Sequence, residues 1–456
     1  MRSRRLASTR NHSYLPPTAQ GRGACDRRIG VTDVRWKLRC TTTGREYDGM
    51  DARFYSDAGS TLDVVHDLDH VRATVDLGTF DRRLGSKQCV DRSGVWRFRE
   101  LILPVEESMI VTKPEGATNL YESRWLAGQV GLDALSLKHE GENPTGSFKD
   151  RGMTAGVTMA KIRGATRVAC ASTGNTSASM AAYAAQAGMR AFVFIPEGKI
   201  AYGKLAQALA YGAKTIQIAG DFDRALDIVQ QVCERENIYL LNSVNPFRVE
   251  GQKAIAFELL QDLDWQVPDW IVMPGGNLGN SSAIGKGLME MLELGWIDRL
   301  PRIAVVQAHG ANPFFRAFTS GQPLVPVQNA ETIATAIRIG NPVSWQKSLR
   351  GVEASHGLVT EVTDDEIMDA KALVDAAGIG AEPASCATVA GVRKLVADGT
   401  IRSDSHVCGV LTGHLLKDPD AVVHYHRGEL EGITSRRANA PVPCEATLDA
   451  VRRHLD

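Results

Sequence analysis

The chain has no apolar run approaching the roughly 20 residues that a bilayer-spanning helix requires, which excludes a helical membrane protein. It has little net charge, −1 across 456 residues, so nothing in the charge balance points to nucleic acid or to an acidic membrane surface. It has eight cysteines (Cys25, Cys40, Cys89, Cys170, Cys233, Cys386, Cys408 and Cys444), but no two stand in CxxC spacing. In a chain this long, that scatter reads as reduced thiols and a cytoplasmic protein rather than a disulfide scaffold. The opening stretch Met1–Arg28 lacks acidic residues apart from Asp26 and has no apolar h-region, which argues against a secretory signal. Residues 1–35 are expected to be a disordered leader or the product of a start codon placed too far upstream, with a transit peptide as the alternative.

What is present is a long alternation of short apolar runs and helical patterns. Val168–Ala171, Ala191–Ile195, Thr215–Ile218, Tyr239–Leu241, Trp270–Met273 and Ile303–Val306 are predicted strands, with helices between them. Continuous apolar strands separated by helices are the mark of parallel βαβ units buried on both faces. In such sheets ligands sit beyond the carboxyl ends of the strands, where loops run into helix N-termini. Three loops of that kind are chemically unusual: Glu142–Asp150, Ser172–Ser177 and Gly275–Asn280.

Gly275-Gly-Asn-Leu-Gly-Asn280 follows an apolar strand and precedes a helix. Its backbone N–H groups and the helix dipole suit an anion, naturally a phosphate. It has neither the lysine of a P-loop nor GxGxxG spacing, so the phosphate belongs to a cofactor smaller than a dinucleotide; a plain Gly-rich turn is the alternative. Ser172-Thr-Gly-Asn-Thr-Ser177 gathers more donors and acceptors than an N-cap needs, and a carboxylate or ring hydroxyl is its expected occupant. Lys149 opens a helix expected to run through Ala160, where the dipole opposes its charge. With Arg151 close by, the ammonium form is disfavoured and an amine nucleophile is exposed. Taken without its neighbours, it would read as a surface lysine.

Asn143-Pro-Thr-Gly-Ser-Phe-Lys-Asp-Arg-Gly152 resembles the Schiff-base segment of threonine synthases, within the tryptophan-synthase-β-like, fold type II, pyridoxal-phosphate enzymes. The likeness continues through Ser172–Ser177, Gly275–Asn280, Thr332–Gly340, Glu382-Pro-Ala-Ser385 and Thr412-Gly-His-Leu-Leu-Lys-Asp-Pro419, in the family's order, over roughly residues 95 to 420. It implies two parallel-sheet α/β domains, interleaved over 96–430, with a small N-terminal extension and a C-terminal tail, 431–456. It implies pyridoxal 5'-phosphate as cofactor, carried by Lys149 as a Schiff base, with Phe148 beside it. Asn175 would hydrogen-bond the ring hydroxyl oxygen, and Thr412 would face the pyridine nitrogen. Gly275, Gly276, Asn277, Leu278, Gly279 and Asn280 would hold the cofactor phosphate. Ser172, Thr173 and Thr176 would bind the amino-acid carboxylate. Asn242, Ser243 and Arg248 would grip a substrate phosphate, with Lys199 and Lys204 adding positive charge or simply lying on the surface. The implied reaction converts O-phospho-L-homoserine and water to L-threonine and phosphate. A β-replacement enzyme acting on O-phosphoserine, cysteate-synthase-like, is the alternative, and a non-catalytic homologue the more distant one. The partner is a small phosphorylated amino acid, and a homodimer is in keeping with the fold.

The sequence also departs from the pattern. Leu38-Arg-Cys40 and Leu62–Leu68 resemble the flanks of a zinc-ribbon-like segment, placed at 36–95. Of its cysteines only Cys40 remains, with Thr43, Tyr55 and Ala58 at the other apparent positions. No zinc is expected there, because such sites need thiolate or imidazole ligands. The loop Glu115–Leu120 lacks the usual proline, Leu415 stands where glycine is common, and Cys386 replaces a small residue.

Overall fold

The computed structural model describes residues 34–196, 202–219 and 222–455. The leader up to residue 33, Cys25, Lys199 and the side chain of Lys204 fall outside that set. Three sheets organise the described residues. β1 (Trp36–Cys40), β2 (Glu46–Asp48) and β3 (Leu62–His66) form an antiparallel sheet in the order β2-β1-β3. β4 (Leu120–Glu122), β5 (Leu135–His139), β10 (Trp270–Pro274), β11 (Arg302–Ala308), β12 (Leu358–Val362) and β13 (Val407–Leu411) form a six-stranded sheet in the order β12-β11-β10-β13-β5-β4. It is parallel except for β4, which runs antiparallel to β5. β6 (Arg167–Ala171), β7 (Arg190–Pro196), β8 (Lys214–Ile218) and β9 (Tyr239–Leu240) form a parallel sheet, β8-β7-β6-β9.

The expected α/β class with two parallel sheets holds, but the strand series does not close at β11. β12 and β13 extend it, and β13 enters the middle of the large sheet beside β10. Thr360 and Glu361 interrupt the apolar run of β12, and β13 is a short buried run with Gly409 at its centre. The two sheets belong to one interleaved chain path, because β6–β9 are inserted between β5 and β10.

The helix Lys149–Ile162 passes between the sheets with nearly every residue buried. It packs on the helix Pro246–Gln252 through glycines. A Cβ at Gly152 would lie 2.4 Å from the Arg248 carbonyl oxygen, and one at Gly251 would lie 2.1 Å from that of Arg151. The helices therefore meet backbone to backbone, and only glycine fits at either point. Inside this junction Arg151, 0% exposed, bonds to Glu140 at 2.6 Å through both Nε and Nη2 and to Glu258 at 2.8 Å. Glu258 also accepts the Ala117 and Thr118 N–H groups and pairs with Lys138 at 2.6 Å. Against the cost of burial, Arg151 and Lys138 hold the Glu258 carboxyl well below the usual carboxylate range, and the contacts tie four chain segments together.

In the three-stranded sheet, protein hydrogen bonds surround Cys40. The Cys40 thiol donates to Ser56 Oγ (3.2 Å), and the Thr43 N–H donates to the sulfur (3.4 Å). Ser56, rather than Tyr55, faces Cys40. Tyr55 pairs with Thr61 one residue earlier and turns outward, 36% exposed, because adjacent extended residues point to opposite faces. Among the described residues no helix is long and apolar enough to cross a membrane, and the seven cysteines there are unpaired.

Removing one partner of a fully desolvated ion pair strands the other, so Glu258→Ala is expected to cost about 3–5 kcal/mol of folding stability. Denaturant unfolding monitored by circular dichroism measures it. A loss below about 1 kcal/mol, the range of exposed pairs, would show that Arg151 finds other compensation.

Candidate functional site

Lys149 is the first residue of its helix, and its Nζ stands 4.1 Å from the centroid of the Phe148 ring. The Phe148 N–H donates to the Thr412 carbonyl at 3.0 Å, which fixes the Lys149 loop to the end of β13. A bridge between Ser147 and Gly413 strengthens that link. Loss of water around the amine, and then the Arg248 guanidinium, lower the Lys149 pKa to about 7, against an opposing pull from Glu382. The depressed pKa agrees with the sequence reading, but the charge invoked there does not cause it. Arg151 turns away and is neutralised by Glu140 and Glu258, so the cation acting on Lys149 is Arg248. Asp150 also turns away, to accept from Thr145 N–H and Oγ1 at 2.7 Å each, and burial pushes its carboxyl up to about 6.

Arg248 is 2% exposed, with Nη1 donating to the Leu241 carbonyl at 2.8 Å and Nε without a hydrogen-bond partner. No carboxylate pairs with it among the described residues, and desolvation lowers its pKa to about 10. A buried cation in that state is costly unless an anion joins it. The neighbouring strand-end residues are ordered around it. Asn242 bonds Ala171 in both directions, at 2.9 and 3.3 Å, and Ser243 Oγ accepts from Asn277 Nδ2 at 2.7 Å.

Asn277 belongs to the Gly-rich loop between β10 and the helix Gly279–Leu294. Its Oδ1 also accepts the Val343 N–H at 2.7 Å, so its side chain is wholly used in bracing. Gly275 donates its own N–H to the Val306 carbonyl at 2.7 Å, seating the loop on β11. A Cβ at Gly276 would come within 3.1 Å of Ile337 Cα. Leu278 is held at φ 63°, and the helix then begins at Gly279, where first-turn N–H groups lack intrahelical acceptors. Asn280, 6% exposed, has both amide atoms unpartnered.

On the opposite wall Asn175 starts the helix Asn175–Gln186 and donates Nδ2 to both Glu382 oxygens at 3.2 Å. Ser172 Oγ accepts the Gly174 N–H at 3.2 Å, while the half-buried Thr173 and Thr176 make no side-chain hydrogen bond within the described residues. Thr412 Oγ1 shares a 2.9 Å hydrogen bond with Ser385 Oγ, which in turn accepts the Thr412 and Gly413 N–H groups at 2.8 Å each. Thus Lys149, Asn175, Thr412, Arg248 and the Gly275–Asn280 loop belong to one linked site. Glu382 and Ser385 were matched as part of a motif but given no role. Burial raises the Glu382 pKa, and the signal available in sequence was an acidic residue set between alanine and proline in an apolar stretch. Of the departures, Cys386 packs in the core behind Glu382, with its thiol directed at the Ala381 carbonyl (3.7 Å). Leu415 covers Gly380, where a Cβ would lie 2.4 Å from Leu415 Cδ2, so the glycine makes room for it.

Comparison with known proteins agrees with this geometry. Residues 111–413 match the profile of the family described as pyridoxal-phosphate dependent enzyme. The chain belongs to that family. Threonine synthase of Methanocaldococcus jannaschii is 45% identical over 419 residues, 91% of this chain and 98% of the relative. That of Methanosarcina acetivorans is 46% identical over 423 residues, 92% and 98% of the two chains. Among solved structures, maize serine racemase superposes with a TM-score of 0.56 at 21% identity, covering 65% of this chain and 88% of that one. Processed threonine deaminase isoform 2 of Solanum lycopersicum gives 0.58 at 18%, covering 67% and 87%. These two share the fold. The site's residues fit the family's cofactor. Asn280 and the first-turn N–H groups can meet a phosphate, Lys149 offers an amine near neutrality, and Thr412 offers a hydroxyl to a ring nitrogen.

Above its pKa the Lys149 amine is neutral and nucleophilic; below it the ammonium cannot attack an aldehyde. The rate at which cofactor-free protein takes up pyridoxal phosphate is therefore expected to rise with pH through about 7 and then level off. Stopped-flow absorbance from pH 5.5 to 9 measures this, and a rate still climbing at the upper end would contradict it.

Proposed function

We propose that the chain is a threonine synthase, converting O-phospho-L-homoserine and water to L-threonine and inorganic phosphate. The observation that carries this is Arg248: a buried guanidinium without a carboxylate, close enough to Lys149 to lower its pKa. With the cofactor phosphate assigned to Gly276–Asn280 and the amino-acid carboxylate to Ser172–Thr176, an anion beside Arg248 would be a third one, and a phosphorylated substrate supplies it. Identity near 45% along nearly the whole length of threonine synthases supports the same reading.

Pyridoxal phosphate, when bound, supplies the electron sink that acidifies the substrate carbons. The chain's own residues do the remaining work. Ser172, Thr173, Thr176 and the N-terminus of the Asn175 helix receive the substrate carboxylate. Asn242, Ser243 and Arg248 hold the departing phosphate, matching its oxygens with guanidinium and hydroxyl donors. Lys149 Nζ takes a proton from Cα and then one from Cβ, a role open to it because its pKa lies near neutrality. Phosphate leaves Cγ, and the two abstracted protons return, one to Cγ, which becomes the methyl group, and one to Cα; water gives its hydroxyl to Cβ and its proton to the released phosphate. Thr412, a neutral hydroxyl braced by Ser385, faces the ring nitrogen without placing a charge there. The unpaired cysteines are consistent with a reducing, cytoplasmic setting.

The test offers the holoenzyme O-phosphohomoserine and, separately, O-phosphoserine with sulfite. Phosphate and threonine are expected from the first, and turnover of the second alone would favour the β-replacement reading. Lys149→Ala should abolish the visible absorbance of the lysine-bound cofactor. Arg248→Met should keep that absorbance while raising KM by about 10- to 100-fold, the worth of a lost charged hydrogen bond.

A further inference from the structure

The front of the Pro246–Gln252 helix carries Arg248. Its back carries charged groups that no catalytic step uses. Glu250, 1% exposed, lies two residues on from Arg248 and so about 200° around the helix. His66 Nε2, from the end of β3, stands 2.8 Å from Glu250 Oε1. Lys286 Nζ reaches both Glu250 oxygens at 2.8 and 2.7 Å, and Lys253 adds another ion pair. Lys253 and Lys286 also contact Glu290, at 2.5 and 3.3 Å.

Lys286 and Glu290 sit on the helix Gly279–Leu294, which starts at the Gly-rich loop. One buried cluster therefore braces, from behind, both the cofactor-phosphate element and the element that bears Arg248. Within it two acidic side chains, Glu250 and Glu290, face two basic ones, Lys253 and Lys286. His66, held neutral by burial and by Lys253, adds no charge. Its Nε2–H donates to Glu250, its Nδ1 has no partner, and β3 packs directly on the helix. His66 supplies a direct hydrogen bond from a separate sheet to the Pro246 helix, beside the indirect link in which Lys286 joins the Val64 carbonyl to Glu250.

We propose that His66 is a positioning residue that, through Glu250, sets the place of Arg248 relative to the Gly275–Asn280 loop. It thereby selects the length of phosphorylated amino acid the site accepts. O-phosphohomoserine and O-phosphoserine differ by one methylene between Cα and the phosphate, so a shift of Arg248 changes the discrimination between them. This rests on the assignment of Arg248 to the substrate phosphate.

The experiment compares holoenzymes carrying His66→Leu, His66→Gln and, as a control, Arg350→Ala. Arg350 pairs with Asp63 on the same strand at 2.5 Å but touches neither Glu250 nor the Pro246 helix. His66→Leu is expected to raise about tenfold both KM for O-phosphohomoserine and the dissociation constant of inorganic phosphate measured by calorimetry. It should leave kcat and the cofactor absorbance unchanged and narrow the preference over O-phosphoserine. His66→Gln, whose amide nitrogen can occupy the Nε2 position, should restore the parent values, and Arg350→Ala should not depart from them. Parent-like phosphate binding in His66→Leu would overturn the proposal. So would a His66→Gln no better than His66→Leu, or an Arg350→Ala equally impaired. If His66→Leu does not fold, His66→Asn, too short to reach Glu250, carries the same expectations. An unmodified holoenzyme that releases no phosphate from O-phosphohomoserine would defeat the substrate reading, and the calorimetric arm would still judge His66.

Discussion

Two basic side chains, Lys149 and Arg248, act on one another with no carboxylate bonded to either among the described residues, and much of the structure can be understood as what makes that tolerable. In a medium less polar than water two like charges at close range repel by several kcal/mol, and the stable outcome is for the weaker acid of the two to keep its proton and the other to lose it. Arg248 remains charged while the lysine becomes an amine. This works only if the surrounding charges are spent elsewhere. Arg151 is consumed by Glu140 and Glu258, and Asp150 by Thr145 and Ser179. Gly152 and Gly251 let the two helices approach until both side chains emerge together. A carboxylate placed beside Lys149 would stabilise the ammonium and remove the reactive form.

The parallel sheets were legible because β6, β7, β10 and β11 are continuous apolar runs bounded by glycine, proline and polar loops. β12 and β13 were not, because Thr360 and Glu361 interrupt the apolar run of β12, Gly409 stands at the centre of β13, and their place in the sheet depends on a crossover of the whole chain. The three site loops were legible because each puts unusual chemistry just before a helix. The cause of the Lys149 pKa was not. Sequence proximity suggested Arg151, but a helix turns successive residues about 100° apart, and the cation that matters comes from a hundred residues further on. Glu382 was overlooked for a related reason: its importance comes from facing Asn175 across the cleft, which no local pattern records.

The N-terminal sheet shows the same principle from the other side. The residue facing Cys40 is Ser56, one position from the tyrosine that spacing alone suggested. Strand alternation decides such questions, and a slip of one residue exchanges inside for outside. The sheet's core residues Trp36, Leu38, Leu62 and Val64 join the same apolar cluster as the catalytic helices, so it is packed into the enzyme rather than appended to it.

Asn277 has a consequence of a different kind. Both ends of its amide are engaged, by Ser243 and Val343, and Gly275 is bonded to β11, so the Gly-rich loop would meet a phosphate already shaped. Little ordering entropy is then lost on capture of the cofactor, and more of the gross interaction energy remains as affinity. The rigidity also works in reverse. A loop fixed by its own side chains would not reshape itself around a group of different outline, so the bracing favours an anion that fits the backbone as it stands.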